Sequence, residues 1–170
     1  MVIWINGPFG VGKTTVALAL RAQIARSRLF DPEVVGFVLL RVLRPADFQD
    51  LRTWRVLTRV LAAAGSHWAD PLIVPMSLCQ PRYFEEIVGG LRRQRVAVRH
   101  FTLTASRATV LKRLADRGDA GSWAAGQLNR CADALADPMF ADHIETDGRS
   151  SHEVAADIRM RSGIAVPHTP

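Results

Sequence analysis

Short apolar runs alternate with longer stretches of helical periodicity along the chain, and this alternation predicts five β-strands separated by helices. The predicted strands cover residues 2–5, 28–30, 71–75, 96–103 and 143–146. Strands that alternate with helices form a parallel sheet covered by helices on both faces. Because we find no internal repeat and no linker, the pattern predicts a single α/β domain over residues 1–170, three-layered (α/β/α) around a five-stranded parallel sheet.

Capping patterns mark the starts of three of the intervening helices. The starts are Asp31-Pro32-Glu33, Ser106, and the capping box of Ser150 with Glu153. The helix that begins at Ser106 is expected to end at 117. Further helices are predicted over 13–26, 47–64, 81–91 and 123–135 from the spacing of their apolar residues.

The first predicted strand leads directly into a glycine-rich loop that fits the P-loop pattern at every position. The loop consists of Gly7, Pro8, Phe9, Gly10, Val11, Gly12, Lys13 and Thr14, with Thr15 next in the following helix. Backbone N–H groups of such a loop surround phosphate oxygens, and the helix N-terminus adds positive charge. Lys13 is the expected partner of the β- and γ-phosphate oxygens and Thr14 that of Mg²⁺.

Asp31 is the candidate for the group that orients or deprotonates an acceptor hydroxyl. It follows the second predicted strand, at the edge of the sheet where parallel α/β proteins bind their ligands. The alternative is a structural N-cap before Pro32, and one carboxylate can serve both purposes. No aspartate follows the third strand, where many P-loop proteins carry one that supports Mg²⁺; Met76 and Ser77 stand there instead.

Arginines after the fourth strand are the candidates for contact with the transferred phosphoryl group. Arg113 and Arg117 are four residues apart on one helix face, a like-charge pair that an anion between them would stabilise. The alternative is a solvated face with acidic neighbours. Residues 118–122 are small and polar enough for a mobile lid, which is predicted over 117–123, and Arg130 lies in the next predicted helix.

The composition is that of a folded protein with an excess of arginine. Of the 170 residues 48% are hydrophobic, and Lys13 and Lys112 are the only lysines behind a net charge of +6. The arginines are interleaved with acids, so we expect no nucleic-acid partner. No stretch approaches the ~20 apolar residues of a membrane span, and we expect a cytoplasmic protein.

The cysteines do not suggest chemistry. Cys79 and Cys131 have neither CxxC spacing nor a histidine cluster nearby. The sequence therefore predicts two buried thiols, and neither a metal site nor a redox pair.

Several stretches make the chain resemble the tunicamycin-resistance protein family, within the small P-loop kinases of the nucleoside monophosphate kinase and shikimate kinase type. They are 3–7 with the P-loop, 31–33, 36–37, 47–49, 73–77, 100–103, 122–125, 142–144 and 146–147, and they extend over almost the whole chain. The resemblance implies a strand order of 2-3-1-4-5, use of ATP with Mg²⁺, and resistance to tunicamycin, a nucleoside antibiotic with a uridine, sugars and a fatty acyl tail. Some relatives are described as membrane-associated, so peripheral membrane contact stays open. The sequence does not determine the oligomeric state.

The resemblance also implies where each partner binds. Residues 32–70 correspond to the acceptor-binding segment of nucleoside monophosphate kinases. The candidate catalytic residues are Lys13, Asp31, Arg113 and Arg117, of which the two arginines also bind the nucleotide. The candidate substrate contacts are Asp31, Phe37, Arg41, Phe48, Gln49, Trp54, Met76, Ser77, Trp123 and Arg130. The alternative for the aromatic residues Phe37, Phe48 and Trp54 is a place in the core, whereas Gln49 could hydrogen-bond the edge of a uracil ring.

Three functions fit these residues. The first is an ATP-dependent phosphotransferase that inactivates tunicamycin by phosphorylating a hydroxyl. The second is an ATP-binding protein that sequesters the antibiotic without chemistry, which the missing aspartate after the third strand favours. The third is a kinase for a nucleoside or another metabolite.

Overall fold

The computed structural model describes residues 1–43, 47–116, 118, 130–140 and 142–165. Five strands form one parallel sheet in the order β2-β3-β1-β4-β5. The strands are β1 Val2–Asn6, β2 Arg28–Leu29, β3 Leu72–Pro75, β4 Val98–Thr104 and β5 His143–Glu145. The predicted fold class and the implied strand order 2-3-1-4-5 are confirmed.

Helices connect the strands and cover the sheet. They are α1 Lys13–Gln23, α2 Pro32–Leu43, α3 Arg52–Trp68, α4 Pro81–Phe84, α5 Gly90–Arg93, α6 Arg107–Ala115, α7 over 130–135 and α8 Ser151–Arg161. A π-helical segment, Glu85–Gly89, joins α4 to α5, and Phe48–Asp50 and Pro138–Phe140 are short 3-10 turns. Among the described residues, no helix is both long and apolar enough to cross a membrane.

The central strand β1 is buried on both faces, which separates the core into two halves. Val2 and Trp4 belong to the half that contains α3 and the helix after β3. Ile3 and Ile5 belong to the half that contains α1 and α8. Alternate side chains of a strand point to opposite faces, so an unbroken apolar strand is expected where helices cover both. The loop that follows β1 therefore starts from the most deeply buried part of the sheet.

The capping patterns are confirmed at all three helix starts. The Asp31 carboxylate accepts a hydrogen bond from the Glu33 N–H at 2.9 Å. The Ser106 hydroxyl accepts one from Thr109 N–H, and Ser150 with Glu153 forms the reciprocal capping box.

The segment predicted as one helix over 47–64 differs from the prediction. Asp47 caps the 3-10 turn Phe48–Asp50 by accepting a hydrogen bond from Gln49 N–H at 2.8 Å. The α-helix begins only at Arg52 and continues to Trp68. In this turn the Phe48 ring lies between Phe37 of α2, at 6.1 Å between ring centroids, and Trp54 of α3, at 5.1 Å.

Candidate active site

A buried asparagine joins the start of the P-loop to the loop after β3. The Asn6 side chain accepts hydrogen bonds from Gly7 N–H at 2.9 Å and Leu78 N–H at 2.8 Å. Its amide group donates to the Leu78 carbonyl at 3.0 Å. The Ser77 hydroxyl donates to the Gly7 carbonyl at 2.9 Å. Since these bonds are buried, they fix the two loops to each other before any ligand arrives.

The P-loop itself has the backbone conformation that an anion site requires. Gly12 lies in the left-handed region, with φ of 105°, and forms the N-cap of α1. A Cβ at Gly12 would have Arg113 Nη1, at 4.0 Å, as its nearest neighbour among the described residues. The loop backbone is thus open at this point, and the N-terminus of α1 directs partial positive charge into the open space.

Lys13 lies within the loop that it is expected to serve. Its ammonium group donates to the carbonyls of Gly7 and Pro8, each at 3.0 Å, and lies 5.5 Å from the centroid of the Phe9 ring. The positive charge is therefore already held beside the loop, where phosphate oxygens would replace the two carbonyls as partners of the ammonium group.

Three cavities lie side by side along the carboxyl edge of the sheet. The arginine cavity, about 360 Å³, is lined by the P-loop, Arg113, Thr146 and Arg149 among others. The P-loop cavity, about 180 Å³, is lined by Phe9, Gly10, Gly12, Lys13, Thr14, Thr15, Asp31, Glu33 and Pro75. The aromatic cavity, about 420 Å³, is lined by Phe9, Glu33, Phe37, Leu40, Asp47, Phe48 and Gln49. Neighbouring cavities share lining residues and are therefore adjacent, and we refer to the three together as the cleft.

Arg113 joins α6 to both the P-loop and the loop after β5. Its guanidinium donates to the Val11 carbonyl at 2.8 Å and to the hydroxyl and carbonyl of Thr146 at 2.9 and 3.0 Å. These contacts keep a positive charge next to the loop without directing it at the aromatic cavity. The position suits contact with a bound nucleotide and not with the acceptor.

Residues with side-chain oxygen atoms line the P-loop cavity. Thr14, which has a hydroxyl, and Asp31 and Glu33, which have carboxylates, are among them. Hydroxyl and carboxylate oxygens are the ligand types that Mg²⁺ prefers, and it usually takes only one or two carboxylates alongside substrate phosphates. The residues present therefore fit Mg²⁺, for which Thr14 and Asp31 would be the protein ligands.

Glu33 is a candidate that the sequence analysis considered only as part of a helix start. It is one of two residues, with Phe9, that line both the P-loop cavity and the aromatic cavity. Burial and, to a smaller extent, the negative charge of Asp31 raise the pKa of Glu33, and together they outweigh the opposing charge of Lys13. A carboxyl with a raised pKa between two cavities is typical of a proton-transfer group. The spacing Asp31-x-Glu33, two carboxylates in one helical turn, could have drawn attention to it.

The aromatic cavity is built from α2 and the 3-10 turn. The Phe37 and Phe48 rings meet edge to face with centroids 6.1 Å apart. A Cβ on Gly36 would lie 2.6 Å from the Phe48 ring, so a glycine is required for this approach. Gln49 is oriented by a hydrogen bond from its amide to the Ser77 carbonyl at 3.2 Å.

The chain matches the family model described as "AAA domain" over residues 2–138. Among solved structures, the tunicamycin resistance protein of Deinococcus radiodurans is similar at 34% identity, with a TM-score of 0.82, over 97% of this chain and 96% of that one. The chain belongs to the tunicamycin resistance protein family. Among curated proteins, none matches the sequence.

Relatives of lower identity share the fold of this tunicamycin resistance family member. A sugar kinase from Janibacter sp. HTCC2649 is 15% identical with a TM-score of 0.68, over 96% of this chain and 95% of that one. A shikimate kinase from Acinetobacter baumannii, solved with shikimate, is 21% identical with a TM-score of 0.62, over 95% and 93%. The P-loop kinase fold is thus common to all of them, and the P-loop marks a nucleotide site.

The structure brings most of the predicted site residues of this family member into the cleft. They are Gly10, Val11, Gly12, Thr15 and Arg113 in the arginine cavity, Lys13, Thr14 and Asp31 in the P-loop cavity, and Phe9, Phe37, Phe48 and Gln49 in the aromatic cavity. Two predicted site residues, Arg117 and Trp123, lie outside the described residues. The lid predicted over 117–123 also lies outside them, except for residue 118.

Five other predicted substrate contacts line none of the three cavities. Trp54 is fully buried and donates its indole N–H to the Pro32 carbonyl at 2.9 Å, and Met76 is buried in the same core. Arg41 and Arg130 are exposed on α2 and α7. Ser77 is likewise buried, and its hydroxyl donates a hydrogen bond to the Gly7 carbonyl of the P-loop. The expectation that Trp54, Met76 and Ser77 contact the substrate does not agree with this burial.

Proposed function

We propose that the protein is an ATP-dependent kinase that transfers a phosphoryl group to a hydroxyl of tunicamycin. The observation that carries the proposal is that the P-loop cavity and the aromatic cavity are adjacent and share the lining residues Phe9 and Glu33. A phosphoryl donor on one side and an acceptor on the other would meet at the Glu33 carboxylate. We choose tunicamycin as the acceptor because the relative from Deinococcus radiodurans is a tunicamycin resistance protein.

The nucleotide would occupy the arginine and P-loop cavities. Backbone N–H groups of the P-loop and the Lys13 ammonium would bind the phosphates, and Arg113 would lie beside the nucleotide. Mg²⁺, held by Thr14 with help from Asp31, would neutralise charge on the β- and γ-phosphates. Phosphoryl transfer needs mainly positioning and charge stabilisation, which these fixed groups can provide.

The acceptor would occupy the aromatic cavity within the segment 32–70. The Phe37 and Phe48 rings give it two apolar surfaces, and Gln49 and Asp47 add polar groups at its edge. Phe37 is 54% exposed, so the apolar surface of its ring extends out of the cavity. Tunicamycin, which combines a uridine and sugars with an acyl tail, matches such a mixed surface.

The proton from the acceptor hydroxyl would be taken up by Glu33. In this step the hydroxyl oxygen forms a bond to the γ-phosphorus, the bond from that phosphorus to ADP breaks, and the proton moves to the carboxylate. A base in this role needs a pKa closer to the working pH than that of an ordinary glutamate, and burial raises the pKa of Glu33 in this direction. Asp31, which the sequence favoured as the base, is exposed and caps the N-terminus of α2. This position suits a ligand of Mg²⁺ better than a base.

Mass spectrometry of tunicamycin incubated with the protein, ATP and Mg²⁺ tests the proposal. We expect the antibiotic to gain one phosphoryl group while ATP is converted to ADP. Tunicamycin that binds but stays unmodified would contradict the kinase and support sequestration. Modification of another hydroxyl compound, with tunicamycin left unchanged and unbound, would point to a metabolite kinase.

Asp31→Asn separates a metal-supporting role from that of a base. Asparagine is as good an N-cap as aspartate, so we expect an unchanged melting temperature. Phosphoryl transfer should fall by roughly tenfold at low Mg²⁺, and most of the loss should be recovered when Mg²⁺ is raised, because a weaker metal site is filled by mass action. The measurement is the transfer rate as a function of Mg²⁺ concentration. A loss of a hundredfold or more that no Mg²⁺ concentration relieves would instead make Asp31 the base.

Phe37→Ala tests the aromatic cavity without disturbing the core. The side chain is 54% exposed, so the melting temperature should change little, whereas the Kd for tunicamycin should rise by roughly tenfold. Val38→Ala is the matched control, because Val38 is exposed to a similar extent, 57%, on the same helix but does not line the cavity. Calorimetric titration of both variants gives the comparison, and equal affinities would place the acceptor elsewhere.

A further inference from the structure

A further cavity lies between α3 and the segment that begins with α4. We call it the α3–α4 cavity; it encloses about 380 Å³ and is lined by Arg52, Arg55, Val56, Arg59, Arg82 and Glu86. None of these residues lines the arginine, P-loop or aromatic cavity. Four arginines against one glutamate leave a surplus of three positive charges. A concave surface of one charge sign attracts ions of the other sign, so this cavity is suited to an anion.

A buried ion pair forms one part of the α3–α4 cavity. The Arg55 side chain is 5% exposed, and it donates to the Glu86 carboxylate and to the Gln49 carbonyl, each at 2.6 Å. Its guanidinium carbon lies 4.5 Å from the centroid of the Tyr83 ring. Arg82 donates to the second carboxylate oxygen of Glu86 at 2.9 Å. Both oxygens of the only carboxylate that lines the cavity are therefore engaged by these two arginines.

The other two arginines keep hydrogen-bond donors that the protein does not use. Arg59 makes one long contact, from Nη1 to the Glu86 carbonyl at 3.4 Å, and its buried Nε has no partner among the described residues. Arg52 is exposed, and within the described part of the chain its side chain takes part in no hydrogen bond or ion pair. Buried donors normally have a partner, so an unpaired guanidinium nitrogen beside a cavity points to an acceptor from outside the chain.

Arg59 is held at the cavity by its packing against a glycine. A Cβ on Gly90 would lie 2.6 Å from Cδ and 3.1 Å from Nη1 of Arg59, so a side chain there would move the arginine. The π-helical segment Glu85–Gly89 ends just before this glycine, and such segments are frequent at functional sites. Arg52, Arg55 and Arg59 also follow each other at spacings of three and four along α3, where like charges repel unless an anion lies between them.

We propose that the α3–α4 cavity binds a phosphate group through Arg52, Arg59 and Arg82, while Arg55 stays paired with Glu86. The planar donor fork of a guanidinium matches the oxygens of a phosphate, and a phosphate dianion has enough oxygens to accept from three arginines at once. Its charge would also offset most of the surplus of three. A free phosphate ion and the phosphate of a lipid headgroup present the same oxygens, and the experiment distinguishes these two sources. The proposal depends on neither ATP binding nor phosphorylation of tunicamycin.

Calorimetric titration with inorganic phosphate at low ionic strength tests the proposal. Because phosphate is also expected to enter the P-loop, the titrations are made in the Lys13→Met background, which we expect to retain one phosphate site. Adding Arg59→Gln should raise the Kd for phosphate at this site by roughly tenfold or more, because a charge-assisted hydrogen bond is lost. Arg52→Gln should act in the same direction. Since Arg52 is exposed, this variant keeps the test available if Arg59→Gln does not fold.

Arg92→Gln is the matched control, because Arg92 is an exposed arginine on α5 that does not line the α3–α4 cavity. It removes the same net charge and should leave the Kd for phosphate within about twofold, as expected for a distant screened charge. Equal losses in the Arg52 and Arg92 variants would overturn the proposal, since binding would then follow net charge alone.

Vesicles made of equal amounts of phosphatidylcholine and phosphatidic acid provide the lipid arm, with pure phosphatidylcholine as the blank. Co-sedimentation that Arg52→Gln or Arg59→Gln lowers and Arg92→Gln does not would identify a headgroup as the source of the phosphate. The same pattern with inorganic phosphate alone would identify a soluble anion. If the Lys13→Met protein binds neither probe in this pattern, the cavity is not a phosphate site. Neither arm measures ATP binding or transfer, so a failure of the proposed kinase would leave these results unchanged.

Discussion

Lys13→Met is expected to lower phosphoryl transfer by on the order of a thousandfold while the fold stays intact. The ammonium group is held at 3.0 Å from two P-loop carbonyls, at the place where the β- and γ-phosphates would lie. Methionine keeps the length of the side chain and its packing but removes the charge that stabilises the transferred phosphoryl group. The measurement is the single-turnover rate, with the Kd for ATP and the melting temperature determined on the same samples.

Lys112→Met is the matched control for this variant. Lys112 is the only other lysine of the chain, and it lies exposed on α6, paired with Asp116 at 2.8 Å. An exposed pair of this kind contributes little to stability, so we expect a transfer rate within about twofold of the parent protein. If the two variants lose the same activity, the effect comes from net charge and not from the P-loop.

Glu33→Gln is expected to lower phosphoryl transfer by on the order of a hundredfold without weakening ATP binding. Glutamine preserves the size of the side chain between the P-loop cavity and the aromatic cavity, but it cannot accept the proton of the acceptor hydroxyl. Single-turnover rates and calorimetric ATP binding separate the two effects. A variant that transfers at the parental rate would show that the substrate or solvent takes the proton.

The pH dependence of the parent protein gives a second measure of the same group. Glu33 must be ionised to accept a proton, so the rate should rise with pH through its pKa, which burial and Asp31 place above the ordinary glutamate value. Asp31→Asn removes one of these two causes, and the rise should therefore move to lower pH. Glu33→Gln should abolish that rise.

Stability should change in the opposite direction to activity in Glu33→Gln. A carboxyl whose pKa is raised by folding stabilises the native state below its unfolded pKa, and this contribution is lost as pH rises through the folded pKa. At neutral pH the parent protein therefore carries an unfavourable buried charge that glutamine lacks. We expect the melting temperature of Glu33→Gln to exceed that of the parent at pH 7 and the difference to vanish in acid. A purely structural glutamate would not combine a gain in stability with a loss of rate.

The sheet and the phosphate site could be predicted from the sequence because both depend on local patterns. An apolar strand followed by the P-loop and a helix determines where Lys13 and Thr14 lie, and the order of strands and helices indicates a parallel sheet. The helix interruptions were harder to predict. The apolar spacing continues through the π-helical segment Glu85–Gly89 and the 3-10 turn Phe48–Asp50, so it does not distinguish them from an α-helix.

The acceptor side could be predicted only in part, because it depends on which way neighbouring side chains point. Asp31 and Glu33 are two residues apart, yet the first is used as a cap and the second lines both cavities. Similarly, Ser77 follows β3 at the ligand edge of the sheet, but its hydroxyl donates its hydrogen bond to the Gly7 carbonyl.

The separation between the two sides of the cleft has a consequence for how the protein can evolve. The phosphate side is anchored to the central strand through the buried bonds of Asn6, so substitutions there affect every reaction that the site performs. The proposed acceptor side is built from α2 and the Phe48–Asp50 turn, outside the sheet, and the Phe37 ring there is about half exposed to solvent. Under selection by a different antibiotic, adaptive mutations should accumulate in α2 and this turn. Residues 2–15 should stay unchanged, so that the same phosphate site would act on the new compound.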